Sequence, residues 1–171
     1  RIINRVYKLN PGKYANDADV WDVNKLAADN GWKVTEDKSS LDEVSGDLKA
    51  NGVYKIADYA TSTTQYDPIP NGSSTDGFVS LTNFKYHGTA YGTVTSSDAS
   101  IIIDAAGDSI VSFITSTYSN GTVTVTDEAG NKIVDGYSTK VATDKTAFAF
   151  VYTGAATKLT LAFTGTTYIG D

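Results

Sequence analysis

"TVTVTD", residues 122–127, alternates threonine with valine. A period of two puts one residue type on each face of an extended chain, so this stretch reads as a half-buried β-strand. The reading spreads to both sides. "DEAGNK" (127–132) is a turn that leads into a second extended run, "KIVDGYS" (132–138). "KLTLAFTG" (158–165) places Leu159, Leu161 and Phe163 on one side, and "AFAFVY" (147–152) is apolar on both faces, which suits a central strand. With "GFVSLTNF" (77–84), "SIIIDA" (100–105) and "SIVSFITS" (109–116) there are about seven strands joined by short turns, the spacing of a sandwich. No helical pattern separates them, which disfavours a parallel sheet. The expected fold is mainly β: an antiparallel β-sandwich over residues 76–171.

Residues 1–75 differ in texture and are expected to form an α+β extension or small lobe with two short helices. "RVYKLNPGKY" (5–14) reads as a strand entering a Pro-Gly turn. In "NDADVWDVNKLAADNGWKV" (16–34), Val20, Val23, Leu26 and Ala27 recur at helical spacing, an aspartate can cap the start and Asn30-Gly31 can end it. "SLDEVSGDLKANG" (40–52) repeats the grammar, with Ser40 and Glu43 as a capping box and Asn51-Gly52 as the stop. Short β-prone runs, "WKVTE" and "VYKIADY", follow each helix. Residues 61–77, "TSTTQYDPIPNGSSTDG", read as a long surface loop by their Pro, Gly, Ser and Thr content.

Composition narrows the partners. The 171 residues carry a net charge of −6, with 14 Lys and Arg against 20 Asp and Glu. Nucleic acid and anionic membrane surfaces are disfavoured, since both are bound by clustered cations. No apolar run approaches the roughly 18 residues of a membrane-spanning helix. Cysteine is absent, which excludes disulfides and thiolate metal sites. The start at Arg1 and the end in "TTYIGD" read as those of a module cut from a larger protein with further domains.

His87 is the single histidine, and no G-x-S-x-G turn or paired-carboxylate motif accompanies it, so no catalytic residue is assigned. Asp17, Asp19 and Asp22 could hold Ca²⁺ through oxygen ligands, but an EF-hand needs glycine at its sixth loop position, where Asp22 stands. Capping a helix is the simpler role for these acids, and no cofactor is expected.

Aromatic residues are the richer vein. The chain has 11 Tyr, 6 Phe and 2 Trp, and many tyrosines adjoin turn signals. In "KYHGTAYG" (85–92), two glycines can turn the backbone sharply and lift Tyr86, His87 and Tyr91 from the sheet. Alternation from Phe84 makes Tyr86 the better core residue and Tyr91 the better candidate for exposure. Tyr118 in "TSTYSNG", Tyr137 in "DGYST" and Trp32 after the Asn30-Gly31 stop complete the expected ligand-binding set, while Trp21 reads as a helix anchor. Tyrosine offers a flat apolar face with a polar tip, which matches the C–H face and hydroxyl rim of a pyranose. Covering about 100 Å² of apolar surface per ring contributes about 2.5 kcal/mol, so a few rings make a weak binder that works by avidity.

The stretches "KYHG…YG", "TYSNGTVTVTD" and "YTGAATKLTLAF" give the chain a resemblance. Residues 76–171 resemble β-sandwich modules appended to secreted bacterial polysaccharide-degrading proteins, notably pectate-lyase-associated and related gut-Firmicute modules. Residues 1–75 share only "VWD" and "NGVYKI" with them. The resemblance implies a non-catalytic carbohydrate-binding module in a secreted or cell-surface protein, and it transfers no binding residue. The net negative charge favours a neutral plant polysaccharide, starch first, over polyanionic pectin, unless Lys85 and Lys140 make a local basic patch. A structural or adhesive spacer domain is the competing reading.

Overall fold

The computed structural model describes residues 2–3, 5–8, 33–34, 43–44, 53–54, 56–74, 77–88, 92–138 and 146–169. These are overwhelmingly extended. The first five strands are short: β1 (Ile2–Ile3), β2 (Arg5–Lys8), β3 (Lys33–Val34), β4 (Glu43–Val44) and β5 (Val53–Tyr54). A single 3-10 turn at Ile56–Tyr59 is the only helical element among the described residues. Then come β6 (Pro68–Ile69), β7 (Gly72–Ser73), β8 (Val79–Gly88), β9 (Gly92–Ala105), β10 (Ser109–Thr126), β11 (Lys132–Ser138), β12 (Thr146–Tyr152) and β13 (Thr157–Ile169).

The 18-residue β10 organises the sheet. Its first part, Ser109–Thr115, pairs antiparallel with β12, and Ser109–Ser112 pair parallel with β2. Its second part pairs antiparallel with β13 and, over Thr122–Thr126, with β11. From β10 the sheet continues through β13, β9 and β8 to β6, antiparallel throughout. The threonine–valine alternation behaves as its period dictates: Val123 and Val125 are fully buried, while Thr122, Thr124 and Thr126 are half-buried. Leu159, Leu161 and Phe163 likewise share the core with Ile101, Ile103, Val111 and Phe113. Each such side chain contributes about 1.5–3 kcal/mol by leaving water. β12 pairs with β10 alone among the described strands, with Phe148, Phe150 and Tyr152 buried and Ala149 and Val151 half-buried.

The N-terminal region yields a mixed result. The first expected helix lies outside the described residues. Within the second, Glu43–Val44 are extended and pair parallel with Val53–Tyr54, a bridge suited to β-branched and aromatic residues. The stretch read as a surface loop also contributes structure. β6 and β7 both pair antiparallel with β8, and Ile69 is buried in the same core as Ile56. Pro68 fits there because an edge strand does not require its missing N–H.

The long strands change character along their length. At one end the ladders are continuous: Val79 to Thr82 face Ile103 to Ser100, and Thr157 to Ala162 face Ala105 to Ser100. Beyond that level the register breaks on all four strands. β8 jumps from Thr82↔Ser100 to Phe84↔Thr95, so β9 bulges out over residues 96–99. β9 and β13 stay unpaired between Ala162↔Ser100 and Tyr168↔Val94. β10 shifts between Thr117 and Thr122. Asn83, Asp98, Asn120 and Gly165 all have positive φ at this level. Bulges bend a strand and re-aim its side chains, and here they line up across the sheet.

Candidate functional site

Where the strands resume pairing, one register row crosses the sheet: Pro68, Lys85, Val94, Tyr168 and Ser116. Its neighbouring row, Tyr86, Thr93, Ile169 and Thr115, points the other way. Ile169 belongs to the core and Tyr86 packs against it, so Lys85 and Tyr168 lie on the opposite face, where Val94, Tyr168 and Ser116 are themselves buried and Lys85 is half-buried. His87 follows Lys85 on that face, about 6.8 Å further along the strand.

His87 joins two tyrosines. Its ring centroid lies 5.0 Å from that of Tyr168 and 5.3 Å from that of Tyr66, in edge-to-face geometry with both. Tyr66 is held there by its backbone: its N–H donates to the Tyr86 carbonyl at 2.7 Å, and the Tyr86 N–H donates to the Asp67 carbonyl at 2.9 Å. A φ of +71° at Tyr66 is an unfavourable conformation for an aromatic residue, and the residue remains 56% exposed. The Gln65 side-chain nitrogen stands 3.3 Å from His87 Nε2. With Gln65 as donor, Nε2 accepts and the ring proton sits on Nδ1. Burial holds the His87 pKa below its ordinary value, which favours this neutral form.

On the other side of the Lys85–Tyr168 row, the gap between β9 and β13 opens into a groove of about 490 Å³. Lys85, Ser96, Asp98, Thr164, Gly165 and Thr166 are among its lining residues. The Asn83 side-chain nitrogen donates to the carbonyls of Ser97, at 3.1 Å, and Asp98, at 3.3 Å, which anchors the bulged wall. Thr95 Oγ1 accepts from the Thr167 N–H at 3.0 Å across the gap. Tyr118 stands beside the groove on β10, between the partners of Thr167 and Thr166. It is 73% exposed, whereas Ser116, two residues before it, is buried.

The expected ligand-binding residues thus have different placements. His87 lies on the same face as Lys85, and Tyr118 is exposed. Tyr86 is half-buried against the core, as its parity with Phe84 indicates. Tyr137 is stacked on Phe148 with centroids 4.4 Å apart, so one of its ring faces is taken by packing. Trp32, Tyr91 and Lys140 lie outside the described residues, as do Asp17, Asp19 and Asp22. Among the described residues no group of three or more His, Cys, Asp or Glu gathers as a metal site. Sequence reading missed Tyr66, Tyr168 and the groove. Tyr66 was hidden in a segment whose composition reads as loop, Tyr168 in the last strand, and the groove in a register break that alternation does not encode.

Known proteins add little. No protein-family model matches the chain, and no curated protein matches it. Among solved structures it is similar to the enzymatically active domain of tailspike protein 4 from bacteriophage CBA120, with 13% identity and a TM-score of 0.33 over 74% of this chain. The match spans 22% of that protein's length, and a TM-score of this size is too low to assign a shared fold or function.

Proposed function

We propose that the chain is a non-catalytic polysaccharide-binding module with an antiparallel β-sandwich architecture, built to hold a neutral plant polysaccharide, starch first. The observation that carries this reading is the Lys85–Tyr168 face of β8, β9, β13 and β10. It carries two exposed tyrosines, Tyr66 and Tyr118, and a groove lined largely by hydroxyls. A polysaccharide presents what this face can take: flat C–H surfaces for the rings and hydroxyls for the groove. Two rings, each contributing about 2.5 kcal/mol by area, give weak binding once ordering costs are met. Such affinity suits a module that works by avidity within a larger secreted or surface-borne protein. The sandwich reading draws on Phe113, which contacts Phe148 of β12 and Phe163 of β13 within one core. β6 and β7, at the end of the expected N-terminal extension or small lobe, pair with β8 at the edge of the sheet.

Electrophoresis through gels containing soluble starch, xylan, β-glucan or pectin tests the proposal. Starch is expected to retard the protein most. Retardation strongest in pectin would transfer the site to a polyuronate, and unchanged mobility in every gel would leave the spacer role.

A further inference from the structure

The groove has a feature that stacking alone does not use. It holds one cationic and one anionic side chain, Lys85 and Asp98, among hydroxyls. Among the described residues neither side chain has an ion-pair partner. We infer that the gap between β9 and β13 is a subsite for a single neutral sugar ring, gripped by vicinal hydroxyls between Lys85 and Asp98. The inference rests on the polysaccharide-binding reading and specifies the class of sugar.

Three observations support it. The gap is built into the fold: β9 and β13 pair on both sides of it and part between Ser100 and Val94. Its wall keeps two non-glycine residues, Asn83 and Asp98, at φ +63° and +58°, and the Asn83 side chain bonds the carbonyls of Ser97 and Asp98. Asn and Asp adopt positive φ more readily than other non-glycine residues, and the two Asn83 hydrogen bonds hold the turn in one shape, so the bulge is a specific device rather than slack. The volume, about 490 Å³, lies within the range of small-molecule sites.

The donor and acceptor set then selects the ligand. A hydroxyl both donates and accepts, so adjacent hydroxyls can donate to the Asp98 carboxylate and accept from the Lys85 ammonium. Ser96, Ser97, Thr164 and Thr166 can satisfy the remaining hydroxyls. The charged pair sums to zero, which suits a neutral ring. A uronate carboxylate would meet Lys85 favourably but bring a like charge towards Asp98, on a chain whose net charge is already −6.

Isothermal titration of the full chain with soluble starch and with polygalacturonate tests this. Asp98→Asn retains a residue type that tolerates positive φ, and Lys85→Met retains the stem in its row beside Val94. Each substitution is expected to weaken starch binding at least about tenfold at unchanged melting temperature. Asp98→Asn is also expected to strengthen polygalacturonate binding. Should both variants bind starch like the parent while Tyr118→Ala weakens it, the subsite is overturned and the aromatic face stands. Tighter binding of polygalacturonate than of starch by the parent chain overturns the neutral-sugar assignment. If the parent binds no polysaccharide, the functional reading itself falls.

Discussion

Two stretches of the same four strands behave as different materials. At one end β8, β9 and β13 pair without a gap, and Ile101, Ile103, Leu159 and Leu161 are fully buried. Midway along them the register breaks on every strand before pairing resumes, and Ser97, Asp98, Thr164 and Gly165 are exposed. Strict alternation with full pairing makes a core face, and any slip would turn that face outward. Bulges sacrifice ladder hydrogen bonds locally and obtain a concave wall of polar side chains. Continuous ladder and polar groove are thus separated along the strands.

Substitutions in the two stretches should therefore differ most in stability. Leu161→Ala, in the continuous ladder, is expected to cost about 2–5 kcal/mol by leaving a cavity. Ser97→Ala, in the bulge, should stay within about 0.5 kcal/mol. Urea titrations of the two variants measure the contrast, and similar losses would mean that the bulged stretch is as tightly determined as the core.

Gly165 is where the bulged stretch does resist change. Its φ is +64°, and a Cβ added there would lie 2.5 Å from the Ser119 carbonyl oxygen and 2.6 Å from that of Asn120. Gly165→Ala is expected to cost about 1–3 kcal/mol and to weaken starch binding, because β10 must move away from the groove-lining strand. Gly130→Ala is the control: φ is +85° but no atom lies within 4 Å, so only the conformational cost remains, about 1 kcal/mol. Equal losses in thermal melts would show that the approach of β10 to Gly165 does not matter.

The sequence made one stretch legible and left the other opaque. Val123, Val125, Leu159 and Leu161 announce their buried face because period-two hydrophobicity is what a continuous ladder requires. The bulge at residues 96–99 carries only Ser, Ser, Asp and Ala, and "TSSDAS" reads as plausibly within a strand as across a gap. Nothing local tells that Thr95 bonds to Thr167, 72 positions away. For the site, exposure of Tyr118 followed from its turn-like neighbours, whereas Tyr137 adjoins a similar turn and packs on Phe148. What separates the two is the strand opposite, and local sequence does not record it.

Those two tyrosines sharpen the comparison. Tyr118→Ala is expected to leave stability within about 0.5 kcal/mol and to weaken starch binding about tenfold, or about 1.4 kcal/mol. Tyr137→Ala should do the reverse, losing about 1–3 kcal/mol of stability through its stack and partial burial while binding is unchanged. Melting curves and starch titrations on both variants form the test. Loss of binding in Tyr137→Ala at unchanged stability would move the site towards β11.

The smallest expected effect concerns His87, between the aromatic cluster and solvent. Burial lowers its pKa from the ordinary value of 6.5, so the folded protein holds this proton less well than the unfolded chain does. The unfolded state binds more protons between the folded pKa and 6.5, and stability therefore rises with pH through that window. The contribution is complete above 6.5 and is lost as pH falls towards the folded value. Protonation would also set a ring N–H at Nε2 against the Gln65 side-chain nitrogen, removing the hydrogen bond that the neutral ring accepts. Because the imidazole is partly exposed, solvent screens the effect, and it is expected to be smaller than any of the changes above. Carboxylates titrate at lower pH and cancel when the parent is compared with His87→Gln between pH 7.5 and 5.5. The parent should lose more stability than the variant over that interval. Identical slopes would show that Tyr66 and Tyr168 enclose the ring without biasing its protonation.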